Sequence, residues 1–179
     1  MGENNIKLAL VTGATAGIGK GVVKFLARNN VRVVMVARSM EKLEMVKKEV
    51  GGNCEMVACD MADRQDVVKM AQTVLEEYGV PDLLVNNAGC YYFQHFADKD
   101  YDSWQRMVDL NIMGYLILMA EFINPMKARG SGYIVNITSD SQREAFPGLA
   151  VYTGTKFFWE GATQSIRSVI KVFYWGSCW

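Results

Sequence analysis

The segment that decides the fold reads Thr12-Gly-Ala-Thr-Ala-Gly-Ile-Gly19, and it follows an apolar run, Lys7 to Val11. The run predicts a buried strand, and the segment after it, Gly17 to Asn29, has the apolar spacing of an amphipathic helix. The glycines allow a sharp turn and a close approach of a ligand to the backbone. The helix N-terminus behind them can offer its N–H groups to a pyrophosphate. The alternative is a tight turn that needs glycine for geometry alone. The residues predicted to bind phosphate are Gly13, Thr15, Gly17, Ile18 and Gly19.

Strand-like apolar runs alternate with helical ones along the rest of the chain. Strands are predicted at 31–37, 55–58, 83–85 and 133–137, and helices at 40–50, 63–78, 102–128 and from about 151. Continuous apolar strands separated by helices are typical of a parallel sheet that is covered on both faces. Right-handed crossovers then produce a Rossmann-like, doubly wound α/β domain, with five strands in the order 3-2-1-4-5.

The composition argues against several kinds of partner. The 179 residues carry 19 basic and 19 acidic side chains, so the formal net charge is zero, and no basic block stands out. Nucleic acid and anionic membranes are therefore poor candidates. The four cysteines form no C-x-x-C pair and the chain has one histidine, so neither a disulfide framework nor a metal site is expected. We expect a cytoplasmic protein, because the cysteines suit a reducing compartment and the N-terminus does not have the pattern of a secretory signal. We expect no membrane span, because the longest apolar stretch is short and interrupted.

The end of the second predicted strand reads Ala37-Arg38-Ser39 and lacks an acidic residue. NAD-binding units usually place Asp or Glu there to hold the adenosine ribose. Arg38 can instead pair with the 2′-phosphate of NADP, and Ser39 and Thr15 can add hydrogen bonds. This pattern favours NADP(H) over NAD(H); the alternative is an arginine that is merely solvated. Asp60, after the third strand, can accept a hydrogen bond from the adenine amino group or help to cap the next helix.

Tyr152 and Lys156 lie four residues apart, which places them on one face of the last predicted helix. An ammonium beside a phenol favours the phenolate, and such a phenol can exchange a proton with an alcohol or carbonyl oxygen near neutral pH. Alone the pair is a weak signal, because a tyrosine packed on a lysine stem is common. Three further polar motifs accompany it: Asn86-Asn-Ala-Gly89, Asn111 and Ser139.

Together these motifs resemble the short-chain dehydrogenase/reductase family through about Arg167. The matching residues, in chain order, are Thr12-Gly-x-x-x-Gly-x-Gly19, Asp60, Asn86-Asn-Ala-Gly89, Asn111, Ser139 and Tyr152-x-x-x-Lys156. The resemblance implies that Tyr152 is the acid/base, that Ser139 polarises the substrate oxygen and that Lys156 holds the nicotinamide ribose. It also implies that Asn111 anchors a water in a proton relay. The residues it places along the cofactor are Asp60, Met61, Asn87, Ala88 and Gly89. Three of the motif residues also have structural alternatives. Ser139 could cap a turn, Asn111 could form hydrogen bonds to helix backbone, and Asn86 could end a strand.

The function implied by this resemblance is an NADP(H)-dependent oxidoreductase that interconverts an alcohol and a carbonyl by hydride transfer. The aromatic segment 90–96 and Phe146 suggest an apolar small-molecule substrate, although these rings could equally pack the loop against the domain. We expect the catalytic domain to occupy residues 1–167. Beyond it the family pattern stops, and residues 168–179 read as a divergent aromatic tail in which Ile170-Lys171-Val172 resembles a remnant of a sixth strand. The chain is therefore expected to be C-terminally truncated, to lack the last strands of the sheet and to turn over weakly. The alternative is a non-catalytic isoform that binds nucleotide or pairs with a full-length subunit; a homodimer is also possible.

Overall fold

A six-stranded parallel sheet forms the centre of the structure, a computed structural model that describes residues 6–142, 144–166 and 172–175. The strands are β1 (Leu8–Thr12), β2 (Arg32–Ala37), β3 (Cys54–Ala58), β4 (Leu83–Asn86), β5 (Tyr133–Ile137) and β6 (Val172–Trp175). Their order is β3-β2-β1-β4-β5-β6, and each neighbouring pair is parallel. The predicted order 3-2-1-4-5 and the doubly wound architecture are therefore confirmed.

A sixth strand extends the predicted sheet. The backbone of β6 pairs with β5, with Val172 opposite Ile134 and Trp175 opposite Ile137. The sequence analysis placed these residues in a divergent tail with only a strand remnant up to Val172, so its count of five strands is corrected to six. The physical reason is that Val-Phe-Tyr-Trp is rich in β-branched and aromatic residues, which favour a strand beside an open sheet edge. The predicted boundary at 167 and the remainder of the tail lie outside the described residues.

Helices cover both faces of the sheet and divide the core in two. They are α1 (Gly17–Arg28), α2 (Met40–Val50), α3 (Arg64–Glu77), α4 (Tyr101–Val108), α5 (Gly114–Arg129) and α6 (Ala150–Ile166). Leu8 and Leu10 of β1 point into the core that contains α3, α5 and α6, whereas Ala9 and Val11 point towards α1 and α2. Alternate side chains of a strand face opposite sides of the sheet, so each strand contributes side chains to both cores.

The long helix predicted over 102–128 is interrupted in the structure. A π-helical turn, Asp109–Met113, joins α4 to α5, and the Gly114 N–H bonds to the Asp109 carbonyl. Turns of this kind inside helices often mark functional sites. A Cβ added to Gly114 would lie 2.2 Å from the Met61 carbonyl oxygen, so this glycine lets the helix approach the connection between β3 and α3.

The combined stretch Tyr101–Arg129 is long and apolar enough to cross a membrane by length and composition. Tyr115, Leu118 and Phe122 on this stretch are fully buried in the core beside the sheet. Core helices of soluble proteins pass the same test, so the stretch is weak evidence for a span. The expected absence of a membrane span and the cytoplasmic location stay predictions.

Candidate active site

A cavity of about 540 Å³ opens at the carboxyl ends of the strands. Residues that follow β1, β2, β3, β4 and β5 all contribute to its wall. In the sheet, β2 lies on one side of β1 and β4 lies on its other side. The direction in which successive strands are added therefore reverses at β1, and the cavity lies at this point. Doubly wound sheets bind their ligands at this position.

The turn after β1 forms one wall and fits a phosphate-bearing ligand. Gly13 has φ +65°, and a Cβ there would lie 2.8 Å from the Ala88 Cα. Ala16, the N-cap of α1, provides no side-chain hydrogen bond to the first turn. The N–H groups at this helix start therefore have no capping side chain, and this end of the helix favours an anion. The predicted residues that line the cavity here are Gly13, Thr15, Gly17 and Ile18; Gly19 is buried behind them.

Asn87 ties the end of β4 to this turn. Its Nδ2 donates to the carbonyl oxygens of Thr12 and Gly13, at 3.0 and 3.2 Å. The Thr12 hydroxyl oxygen accepts hydrogen bonds from the N–H groups of Asn87 and Ala88, at 3.0 and 3.1 Å. Thr12 is fully buried, and the sequence analysis gave it no role of its own. Ala88 and Gly89 extend the same wall, so this segment fixes one side of the cavity.

The ends of β2 and β3 form the opposite wall. Arg38 is exposed there and makes no ion pair within the described part of the chain. Ser39 caps α2, and its Oγ accepts a hydrogen bond from the Lys42 N–H at 3.2 Å. Lys42 also lines the cavity and supplies a second cation beside Arg38, which the sequence analysis missed. Two cations beside a hydroxyl are suited to bind a phosphate.

Asp60 lies on this wall, but its carboxylate is already engaged. Both of its oxygens accept from Nη2 of Arg106 at 2.9 Å, and Oδ1 accepts from the Ala62 N–H at 3.1 Å. Burial favours a higher pKa for Asp60, but the Ala62 hydrogen bond and the Arg106 guanidinium outweigh it and leave the pKa lowered. Met61, which the sequence analysis placed along the cofactor, also lines the cavity and is buried. No sequence motif includes Arg106, so the sequence analysis did not identify it.

Tyr152 and Lys156 both reach the cavity from α6. The Lys156 side chain is 4% exposed, and its Nζ donates to the Ile137 carbonyl at 3.0 Å. The same Nζ lies 5.7 Å from the centre of the Tyr152 ring and 6.0 Å from that of Tyr115. Burial lowers the pKa of Lys156 to about 8. The side chain therefore remains mainly an ammonium at neutral pH, held beside the Tyr152 phenol.

Ser139 and Asn111 are not part of the cavity wall. The Ser139 hydroxyl donates to Oγ of Ser141 and accepts from the Ser141 N–H, both at 3.2 Å. Asn111 is buried in the π-helical turn, where its Nδ2 donates to the Cys90 carbonyl and to Oγ1 of Thr155. Its Oδ1 accepts from the Cys90 N–H at 3.0 Å. The structure thus gathers Tyr152 and Lys156 with the turn and Arg38, and leaves Ser139 and Asn111 outside this wall.

Exposed aromatic side chains lie in the loop after β4 and in the loop before α6 and are called the aromatic rim: Tyr91, Tyr92, Phe93, Phe96 and Phe146. Tyr91 lines the cavity, and its ring centre lies 5.8 Å from that of Tyr152. A Cβ on Gly148 would lie 2.6 Å from the Phe93 ring, so the segment 91–96 packs closely against the loop before α6. Tyr91 therefore offers ring surface beside the candidate acid/base.

Comparison with known proteins identifies relatives along nearly the whole chain. The family model described as short chain dehydrogenase matches residues 7–172. A glycine betaine reductase of Emericella nidulans is 41% identical over 164 residues, which are 90% of this chain and 13% of that protein. An oxidoreductase of Staphylococcus saprophyticus is 34% identical over 92% of this chain and 68% of its own length.

The solved structures agree with the family model. A metagenomic short-chain oxidoreductase crystallised with NADP superposes with a TM-score of 0.89 and 30% sequence identity, and the match covers 97% of this chain and 82% of that one. The fold, the position of the glycine-rich turn and the family match all agree. The chain therefore belongs to the short-chain dehydrogenase family.

Proposed function

We propose that this chain acts as an NADP(H)-dependent oxidoreductase that interconverts an alcohol and a carbonyl. One observation carries the proposal: Tyr152 and Lys156 line the same cavity as the glycine-rich turn and Arg38. A candidate acid/base and a candidate phosphate site therefore face one space. NADP(H), when bound, supplies or accepts the hydride.

The proton chemistry rests on side chains of α6. In reduction, the Tyr152 hydroxyl gives its proton to the substrate oxygen as charge develops there, and in oxidation the phenolate takes the proton back. The Lys156 ammonium lies 5.7 Å from the centre of the same ring and places a positive charge beside the group that exchanges the proton. We propose that Ser139 exchanges its hydrogen bond to Ser141 for one to the substrate oxygen. The side chain of Asn111 is held by Cys90, so any water it anchors in a relay would bind its backbone.

The residues at the far wall fit the adenosine half of NADP(H). Arg38, Lys42 and Ser39 would hold the 2′-phosphate, because two cations and a hydroxyl lie beside each other with no acid at the end of β2. Asp60, fixed by Arg106, would accept from the adenine amino group. The NADP bound to the metagenomic relative supports this choice of cofactor.

Arg38→Ala is expected to remove most of a preference for NADPH over NADH. The loss of one charge-assisted hydrogen bond to the 2′-phosphate should weaken NADPH by on the order of 1.5–3 kcal/mol. NADH, which lacks this phosphate, should change by no more than about twofold. Calorimetric titration of parent and variant measures both affinities, and Arg28→Ala at the exposed end of α1 is a matched control. Equal affinities of the parent for the two nucleotides would contradict the assignment.

An apolar carbonyl or alcohol is the proposed substrate. Tyr91 provides ring surface on the cavity wall, and Asp60 at the adenosine wall is the one carboxylate among the described residues that line the cavity. A second candidate is a carbonyl compound with a quaternary ammonium group, because aromatic faces bind such cations. The similarity to a glycine betaine reductase favours this second candidate.

Two isosteric aldehydes separate these candidates: 3,3-dimethylbutanal and its analogue in which a trimethylammonium replaces the tert-butyl group. With an apolar rim that lacks a carboxylate, the neutral aldehyde should show about tenfold higher kcat/KM, since the cation must lose its hydration. NADPH absorbance follows both reactions. A higher kcat/KM for the ammonium aldehyde would assign the second candidate instead, provided that the ratio of the two kcat/KM values falls in the Tyr91→Leu variant.

A further copy of the chain, or a longer relative, is the proposed protein partner. Met113 on the π-helical turn and Phe157 and Phe158 on α6 are exposed apolar side chains on two elements that contact each other. Burial of this surface would be favourable. Sedimentation velocity tests association between copies of the chain. The mass of a single chain at micromolar concentration would contradict self-pairing.

A further inference from the structure

Trp159 continues the face of α6 that carries Tyr152 and Lys156, at positions i, i+4 and i+7. It is fully buried, and its indole N–H donates to the backbone carbonyl of Asn111 with an Nε1···O distance of 2.6 Å. The proposed mechanism assigns no role to this tryptophan.

The carbonyl that Trp159 contacts belongs to the π-helical turn. Such a turn shifts the backbone hydrogen bonds of a helix by one residue, so its geometry depends on neighbouring groups. The side chain of the same Asn111 holds the backbone of Cys90 at both its N–H and its carbonyl. The adjacent Gly89 is fitted between two site groups, because a Cβ there would lie 3.3 Å from Asn111 Oδ1 and 3.7 Å from Lys156 Nζ.

A second contact leads from Trp159 to Lys156. The indole lies against Tyr115, with ring centres 5.2 Å apart. The Tyr115 ring in turn lies below the Lys156 ammonium. The Tyr115 hydroxyl is buried and has no hydrogen-bond partner among the described residues. The ring of Tyr115, rather than its hydroxyl, therefore supports the lysine.

We propose that Trp159 is a positioning residue for the nicotinamide half of the cofactor site. It fixes the π-helical turn through the Asn111 carbonyl, and it supports Lys156 through Tyr115. Loss of the indole N–H would remove the hydrogen bond that holds this carbonyl and loosen the segment at Gly89. The adenosine half depends on Arg38 after β2 and on the glycine-rich turn after β1, whereas Trp159 lies on α6. This role rests on the proposed function, because it presupposes that the cavity binds NADP(H).

The test compares a whole cofactor with its adenosine fragment. Trp159→Phe should weaken NADPH by about fivefold to tenfold and leave 2′,5′-ADP within about twofold in calorimetric titration. Phe122→Leu is the matched control, since it removes side-chain volume from the same core, two turns beyond Tyr115 on α5. It should lower the melting temperature and leave both affinities unchanged. A parent that binds neither nucleotide would contradict the proposed function, and this role with it.

Other outcomes would overturn the positioning role while leaving the proposed function intact. Equal weakening of NADPH and 2′,5′-ADP by Trp159→Phe would assign the tryptophan to general packing, and unchanged affinities would refute any role. If that variant does not fold, Tyr115→Leu should weaken NADPH selectively and Tyr115→Phe should not; equal behaviour of the two would overturn the proposal. In the parent labelled with 15N-tryptophan, one indole N–H should be protected from solvent exchange. Rapid exchange of every indole N–H would refute the bond to Asn111.

Discussion

Phenylalanine in place of Tyr152 is expected to lower kcat for carbonyl reduction on the order of a thousandfold, while NADPH binds as in the parent. The phenol is the group through which a proton reaches the substrate oxygen, and a phenyl ring of the same shape cannot supply one. Lys156 keeps its bond to the Ile137 carbonyl in the variant, so the cavity wall should hold its shape. A change confined to kcat would show that the hydroxyl acts in the chemical step.

Tyr91→Phe is the matched control for this experiment. Tyr91 lies on the same wall, with its ring centre 5.8 Å from that of Tyr152, and the variant loses the same hydroxyl. It should retain turnover within about threefold. Steady-state assays at saturating NADPH measure both variants. Turnover by Tyr152→Phe close to that of the parent would contradict the assignment of the acid/base. A parent that binds NADPH and reduces no carbonyl would instead favour the non-catalytic alternative.

Local patterns in the sequence predicted the elements well, because they depend on neighbouring residues. Ser39 and Asp63 cap α2 and α3 as the residue types suggest, each with its side chain accepting from a backbone N–H. β5 has the predicted bounds, Tyr133–Ile137. The position of Tyr152 and Lys156 on one wall follows from their spacing on a helix. In these places the period of the pattern fixes the geometry.

Contacts between distant elements could not be predicted in this way. Arg106 binds Asp60 across 46 residues of sequence, and Trp159 binds the Asn111 carbonyl across 48. Each contact exists only because the sheet order brings separate helices and loops together. The π-helical turn belongs to the same group, since its Asn111 is bound by Thr155 and Trp159 of α6. The bond from the Ser139 hydroxyl to Ser141 is a further contact that the order of the motifs did not predict.

Alanine at Gly19 is expected to destabilise the domain by about 3 kcal/mol and to weaken NADPH more than about a hundredfold. The added Cβ would lie 2.3 Å from the Gly13 carbonyl oxygen and 2.4 Å from Nδ2 of Asn87. The Gly13 oxygen is backbone and cannot turn aside. The Asn87 amide is held by two hydrogen bonds of its own, to Thr12 and Gly13. The turn must therefore open, and the phosphate wall opens with it.

Gly21→Ala provides the control, because it makes the same chemical change two residues later in α1. Nothing lies within 4 Å of a Cβ at Gly21, so alanine should stabilise the helix by about 0.5–1 kcal/mol. Urea unfolding of the two variants beside the parent measures both free energies, and calorimetry measures the nucleotide affinities. The expected result is opposite signs from identical substitutions in one helix, with loss of NADPH binding confined to Gly19→Ala. Similar stability changes in the two variants would show that the turn tolerates a side chain at Gly19 and that its close packing is not what shapes the phosphate site.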